Sequence, residues 1–312
     1  VKQTRTLTEG AILAALFVSL LAITLYVPFA AYITMWALPL PFILFVVRRG
    51  LKPGLMLLVV AILLSFMIAG LLGLPGALFF GAAGLVIGEL YRRKLAPFNV
   101  LIGGSLIYML NMLLVYVGLT LFMDENPIQF MSALLREQIQ LAEATLIGMG
   151  QDPADSLAPM YEMTEMIVHL VPIMIIMSGI GLAILTVLLA TVILRRLGNK
   201  VEKFPPFRDW QFPKSFLWYY LIVMILLLVG QEEGSTMYII VWNLLPLLEI
   251  VMMVQGFAFI FYYCYHKKVN RILPIIIVIV TLIVNPLTQI IRIIGIIDLG
   301  FDLRKRIKSE KK

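Results

Sequence analysis

The chain has 312 residues, room for one large domain or two small ones, yet composition decides the class before length does. Apolar residues make up 61%, charged residues 14%, and the mean hydropathy is +0.99; an average soluble domain is about 45–50% apolar and about 25% charged. So apolar a chain has too little polar surface to face water as a globule, which excludes a soluble enzyme, a disordered chain and a disulfide scaffold. A polytopic membrane protein remains. The single cysteine, Cys264, has no partner for an intramolecular disulfide.

A helix needs about 20 apolar residues to cross a bilayer core of about 30 Å. That ruler places spans near 8–28, 30–47, 54–72, 74–91, 99–123, 166–194, 215–230 and 236–264, the second and seventh short. The run that starts near Leu7 is read as the first span, not as a cleavable signal peptide. A ninth stretch, 272–300, is interrupted by Asn285-Pro286. The expected fold class is all-α, a transmembrane helix bundle of about eight spans followed by a broken C-terminal hydrophobic hairpin.

Lys and Arg set the orientation. With the N-terminus inside, the inside segments hold Lys2 and Arg5, then Arg48, Arg49 and Lys52, then Arg92, Arg93 and Lys94, then the loop from Arg195 to Lys214, then Lys267, Lys268 and Arg271. Outside segments hold Arg136 against the acids from Asp124 to Glu165 and the pair Glu232-Glu233. If 272–300 turns back at Pro286, the tail from Arg304 to Lys312 also lies inside, and every basic residue except Arg136 and Arg292 shares one face. Proline lacks an N–H and disfavours a helical residue before it, which gives the break a cause. Arms of about 13 residues are too short to cross alone, so a re-entrant hairpin buried against other helices is expected. The net charge of +7 then reads as anchoring on anionic lipid, with no nucleic acid as partner.

Residues 124–165 form the one large outer element. Asn126-Pro127 reads as an N-cap followed by proline at the first helical position. Ile128, Met131, Leu135, Ile139, Ala142, Leu146 and Met149 recur at helical spacing, which predicts an amphipathic helix ended by Gly148 to Asp155. It serves either as a lid over a cavity or as a plain tether between two spans. The expected organisation is a six-span membrane domain at 1–198, a basic loop at 199–214, a C-terminal membrane segment at 215–300 and a basic tail at 301–312.

Ionisable residues at membrane depth are costly and so are the first functional candidates. Glu249 sits mid-span, with Asn243 six residues before and Gln255 six after; six helical residues turn about 600°, so the three do not share one narrow stripe. Glu249 binds a cationic ligand or exchanges a proton, or else it pairs with Arg292, the other charge at comparable depth. Asn111, with Tyr108 and Tyr116 along the fifth span, serves as a ligand donor or as an interhelical tie. Speculative ligand-binding residues are therefore Asn111, Asn243, Glu249 and Arg292. Glu89 fits an interfacial carboxylate, His169 a polar residue near an interface, and His266 part of a basic cluster.

Catalytic patterns are missing. The sequence contains no G-x-x-x-x-G-K-[ST] phosphate loop, no H-E-x-x-H and no G-x-S-x-G. Glu232-Glu233 has no arginine in the next turn, and two histidines on opposite sides make a Ser-His mechanism hard to assemble. No enzyme activity, cofactor or metal site is expected.

Small residues form two seams. Ala11 and Ala15 lie one turn apart on the first span; Ala77 with Gly81, and Gly84 with Gly88, do so on the fourth. Such spacing lets helix backbones approach closely in lipid. The C-terminal run Ile294-Gly295-Ile296-Ile297-Asp298, followed by Phe301-Asp302-Leu303-Arg304-Lys305, is similar to that of the YybS-like family of bacterial membrane proteins, and the resemblance extends over the whole length. The first six spans more distantly resemble the substrate-binding S components of energy-coupling factor transporters. That resemblance implies that Ala11 and Ala15 dock a transmembrane coupling subunit with its ATPases; the Gly/Pro-rich span from Pro75 to Glu89 also fits. The extra C-terminal spans and the long outer segment depart from a minimal S component.

Two functions follow as expectations. The first is a small-molecule binding or uptake subunit of the bacterial cytoplasmic membrane, energised by partner subunits. The alternative is a non-transporting scaffold or regulator that recruits proteins or anionic lipid to its cytoplasmic face.

Overall fold

The computed structural model describes residues 2–122 and 126–309. Asp124, Lys311 and Lys312, and the side chains of Lys2, Glu165, Arg306 and Lys308, lie outside the described residues. The described chain is helical, with no strand. Its helices are α1 (Lys2–Tyr26), α2 (Ala31–Thr34), α3 (Leu40–Arg49), α4 (Leu51–Ala69), α5 (Gly73–Arg92), α6 (Pro97–Phe122), α7 (Pro127–Gly148), α8 (Ala154–Arg196), α9 (Ser215–Val229), α10 (Thr236–His266), α11 (Ile272–Ile283), α12 (Asn285–Phe301) and α13 (Leu303–Ser309). Among the described residues, five stretches are long and apolar enough to cross a membrane: Thr4–Tyr26, Leu51–Arg92, Pro97–Leu121, Met166–Arg196 and Thr236–His266. The protein is a polytopic helical membrane protein.

The stretch Leu51–Arg92 is two helices, α4 and α5, separated at Gly70, whose φ of 58° and ψ of −143° suit glycine alone. The expected span 30–47 is corrected. It is not one helix but the single turn of α2, an irregular passage to Pro39, and α3, with Pro39 as N-cap and Pro41 in the first turn. Ten residues of α3 rise only about 15 Å, half a bilayer core. Buried Leu40, Phe42, Ile43 and Val46 seat α3 in the core of its unit, whereas Tyr32 and Ile33 of α2 are exposed.

The chain divides into two compact units, Val1–Ala142 with Met174–Lys203, and Glu143–Ile173 with Phe204–Lys312. In the first unit α5 is the hub, packed on α3, α4 and α6. A Cβ on Gly84 would lie 2.6 Å from the Pro39 carbonyl oxygen, and one on Gly88 would lie 2.9 Å from Val46 Cβ. Ala77 is fully buried, and a Cβ on Gly81 would run into Leu58. These small residues set the distance between the backbones. Phe17 of α1 meets Phe42 of α3 edge-on, with centroids 4.9 Å apart. Buried hydroxyls tie the later part of α8: Tyr108 to Thr186 at 2.8 Å, and Tyr91 to Thr191 at 2.7 Å.

In the second unit α9 packs on α10 through Val223, Val241 and Leu248. The long run 272–300 breaks at Val284 (φ −102°, ψ 90°), because Pro286 offers no N–H to continue α11. α12 then lies beside α10, and successive contacts advance together along both helices, Glu249 with Arg292 and Gln255 with Asp298, and continue past the end of α12 with Tyr262 and Arg304 of α13. The helices are therefore parallel, and α12 ends beside the α10–α11 turn. A Cβ on Gly256 would overlap the Ile291 carbonyl, and one on Gly295 would overlap the Met252 carbonyl. Two glycines thus bring the backbones together.

Candidate functional site

The four membrane-depth candidates do not meet in one site. Asn111 donates through Nδ2 to the Phe79 carbonyl at 2.8 Å, tying α6 to α5. Asn243 enters the backbone ladder of α8. Pro172 already removes one N–H from that ladder. Asn243 Oδ1 accepts the N–H of Ile173 at 2.8 Å, and its Nδ2 donates to the His169 carbonyl at 2.7 Å. His169 and Ile173 are four apart, so the amide stands between the two ends of a normal helical rung. The His169 ring also meets Tyr238 edge-on at 5.9 Å.

Glu249 and Arg292 form an ion pair, with side chains 34% and 19% exposed. Ala11 and Ala15 lie on an exposed face of α1 with Ile12 and Leu16. At the basic end of the same unit, Glu9 holds both Arg48 (2.7 Å) and Arg49 (2.6 Å), and Glu89 holds Arg92 (2.6 Å) and Arg93 (2.8 Å). These carboxylates gather basic side chains where α1, α3 and α5 end or begin.

The most developed polar structure lies at the basic end of the second unit, in residues that sequence reasoning did not select. Asp298 is fully buried and accepts at Oδ2 from Gln255 Nε2 (2.5 Å) and Arg304 Nε (3.0 Å). Arg304, also buried, reaches with Nη1 to the Arg208 carbonyl at 2.9 Å. Gln255 Oε1 accepts the N–H of Phe212 at 3.0 Å. The loop segment 204–214 is thereby strapped to α10, α12 and α13. Phe207 packs edge-on against Phe261 (5.4 Å) and Trp210 (5.3 Å), and Lys214 Nζ bonds Asp302 at 2.7 Å. Lys214 and Lys305 hold the Asp302 carboxyl below its usual range. Asp298 Oδ1 and Arg304 Nη2 are buried without a hydrogen-bond partner among the described residues. A buried charge pair of this kind needs further hydrogen bonds to offset desolvation, which Gln255 and the Arg208 carbonyl supply.

The signal for this site was present: a lone aspartate in an apolar helix, with an arginine six residues on. What spacing does not give is the partner, because Gln255 comes from another helix. Gln255 and Glu249 do flank, not share, one stripe. Met252 lies midway, about 60° from each on the helix wheel, and α12 approaches closely enough to touch both sides.

Two grooves of the second unit differ in kind. One of about 690 Å³, between α10, α11 and α12, is lined almost wholly by aliphatic and aromatic side chains, Ile260, Ile277 and Ile294 among them. Another of about 680 Å³ lies at the basic end and is lined by Arg208, Lys268 and Arg271 together with apolar groups. No cluster of metal-ligating side chains occurs among the described residues.

The chain is similar to known proteins over nearly all its length. It is 34% identical over 309 residues to "Uncharacterized protein YybS" of Bacillus subtilis (strain 168), covering 98% of this chain and 100% of that relative. No solved structure matches it. The family described as "Predicted membrane protein (DUF2232)" matches residues 15–299, which include the spans from the second half of α1 onward, the Glu249–Arg292 pair and Asp298. The chain belongs to this DUF2232 family of membrane proteins.

Proposed function

We propose that the protein is a multi-pass scaffold or regulator of the bacterial cytoplasmic membrane that holds a cytoplasmic protein at its basic end. One contrast carries the reading. Asn111, Asn243 and Glu249, the polar candidates of the spans, are committed to helix ties, whereas the elaborate polar construction, the strap at 204–214, stands at the end where basic residues collect. Asn243 completes a helix rung, Asn111 bonds a carbonyl, and Glu249 is paired. A route for a polar solute needs polar groups that are free to exchange partners. A buried network that orders a surface segment fits a fixed recognition face better.

The alternative, an uptake subunit, is favoured by one observation: Ala11 and Ala15 lie exposed on α1, as a docking seam requires. Mild-detergent purification of the full chain from native membranes, with mass spectrometry of proteins and released small molecules, separates the two. The scaffold reading expects a cytoplasmic protein whose recovery falls when Asp298→Asn loosens the strap and is unchanged by Ala11→Leu with Ala15→Leu. Recovery of a membrane subunit with paired ATPases, lost in the alanine variant, overturns it.

A further inference from the structure

The groove at the basic end of the second unit has two chemistries on one surface. Arg208, Lys268 and Arg271 supply three cations, and Phe207, Phe261, Val269 and Ile275 supply apolar walls. Its volume is about 680 Å³. The cations are placed by structure. The Arg208 guanidinium lies 3.7 Å from the centroid of the Tyr265 ring, and the strap fixes its backbone through the bond from Arg304. Lys268 ends α10 in the left-handed conformation (φ 56°), with the Val269 N–H returning to the Cys264 carbonyl. That closure turns the chain at once into α11, so Lys268 and Arg271 stay on the same groove. The nearby carboxylate is Asp209, 3.9 Å from Arg208. Lys268 and Arg271 have no ion-pair partner among the described residues.

We propose that this groove binds an anionic glycerophospholipid, its phosphate between Arg208, Lys268 and Arg271 and the first part of its acyl chains along Phe261 and Ile275. Charge complementarity selects an anion. The apolar walls select an amphiphile over a free ion, and the groove lies where α10 ends and α11 begins, the depth of lipid headgroups for helices that meet the bilayer surface there. Arginine stacked on tyrosine presents its remaining donors in a fixed plane suited to phosphate oxygens. The site stands whether or not a cytoplasmic protein is recruited.

The test uses the full chain in neutral detergent. Thermal unfolding is followed with added phosphatidylglycerol, phosphatidylcholine or inorganic phosphate. Each basic residue near the surface contributes about fivefold to anionic-lipid binding, so the triple variant Arg208→Gln, Lys268→Gln, Arg271→Gln should lose the phosphatidylglycerol midpoint shift at concentrations that saturate the native chain. The charge-retaining pair Arg208→Lys, Arg271→Lys should keep most of it. Should the triple variant not fold, the exposed Lys268→Gln and Arg271→Gln variants are compared singly, each expected to need about fivefold more lipid. An unchanged response in these variants, an equal shift with phosphatidylcholine, or the same shift with inorganic phosphate alone overturns the proposal.

Discussion

Glu249 stands to Arg292 as Gln255 stands to Asp298: each pair links α10 to α12 across the same offset of 43 residues. Met252 and Gly295 keep that offset between them. Two ionic or amide ties thus flank one glycine contact on parallel helices, and together they fix the register of the returning arm. A polar pair in an apolar interface is well suited to specifying register, since any slip leaves a charge unpaired.

Neutralising both members of the Glu249–Arg292 pair should therefore cost less than neutralising one. Removing one partner of a buried pair costs about 3–5 kcal/mol; partial exposure of both side chains lowers the expectation here to about 1–3 kcal/mol. Unfolding midpoints of Glu249→Gln, Arg292→Gln and the double variant in the same detergent check this. Additive losses would show that the two residues act separately.

The glycine contact makes a sharper demand. Gly256→Val or Gly295→Val places side-chain atoms where the facing backbone already is, so the two helices must separate. We expect a loss of more than about 3 kcal/mol, at the severe end for core overpacking. Gly118 on α6 is the control, since a Cβ there meets nothing within 4 Å. Gly118→Ala should leave the midpoint unchanged or raise it slightly, by about 0.5–1 kcal/mol from helix propensity.

How much of this was legible in the sequence differs from element to element. The long apolar runs, the Asn126 cap and the break at Pro286 follow from local rules, and Ile128 N–H indeed bonds Asn126 Oδ1 at 3.0 Å. The span 30–47 misled because hydropathy measures composition, not continuity; Pro28, Pro39 and Pro41 carried the warning. For Asn243, nothing local reveals that its side chain enters a helix 70 residues away. Asp298 escaped selection for the same reason, since its partners Gln255 and Arg304 depend on an interhelical register that one-dimensional spacing does not contain.

Asn243→Leu removes both ends of the inserted amide and leaves the His169 carbonyl and the Ile173 N–H without that partner. Lost hydrogen bonds to buried backbone groups cost about 1–3 kcal/mol. The effect should be local: faster hydrogen exchange at Ile173, with the amides of α12 unchanged. Equal acceleration in both helices would mean that Asn243 supports the whole unit.

The Lys214–Asp302 tie predicts a direction with pH. The folded-state carboxyl of Asp302 is held below its usual value of 3.8, so its contribution is present above that value. It is lost as pH falls through the lower, folded-state value. Unfolding midpoints measured from pH 7 down to about pH 3 should fall less steeply at the acid end in Asp302→Asn than in the native chain. Identical slopes would show that the tie contributes nothing to stability.

The tail itself separates into two parts with different expected effects. Arg304 is buried against Asp298 and reaches the Arg208 carbonyl, so it belongs to the network and not to a free basic tail. Removing 304–312 strips Asp298 of its cation and releases the strap; by the measure of a broken buried pair this costs about 3–5 kcal/mol. Truncation after Lys305 keeps Arg304 and removes basic residues beyond it, so stability should change little while recruitment to the basic end weakens. The clean comparison is therefore between chains ending at Leu303 and at Lys305, followed by unfolding midpoint and by co-purifying protein. If both truncations unfold alike, the Asp298–Arg304 contact does not hold the strap, and the recognition face proposed for this end loses its physical basis.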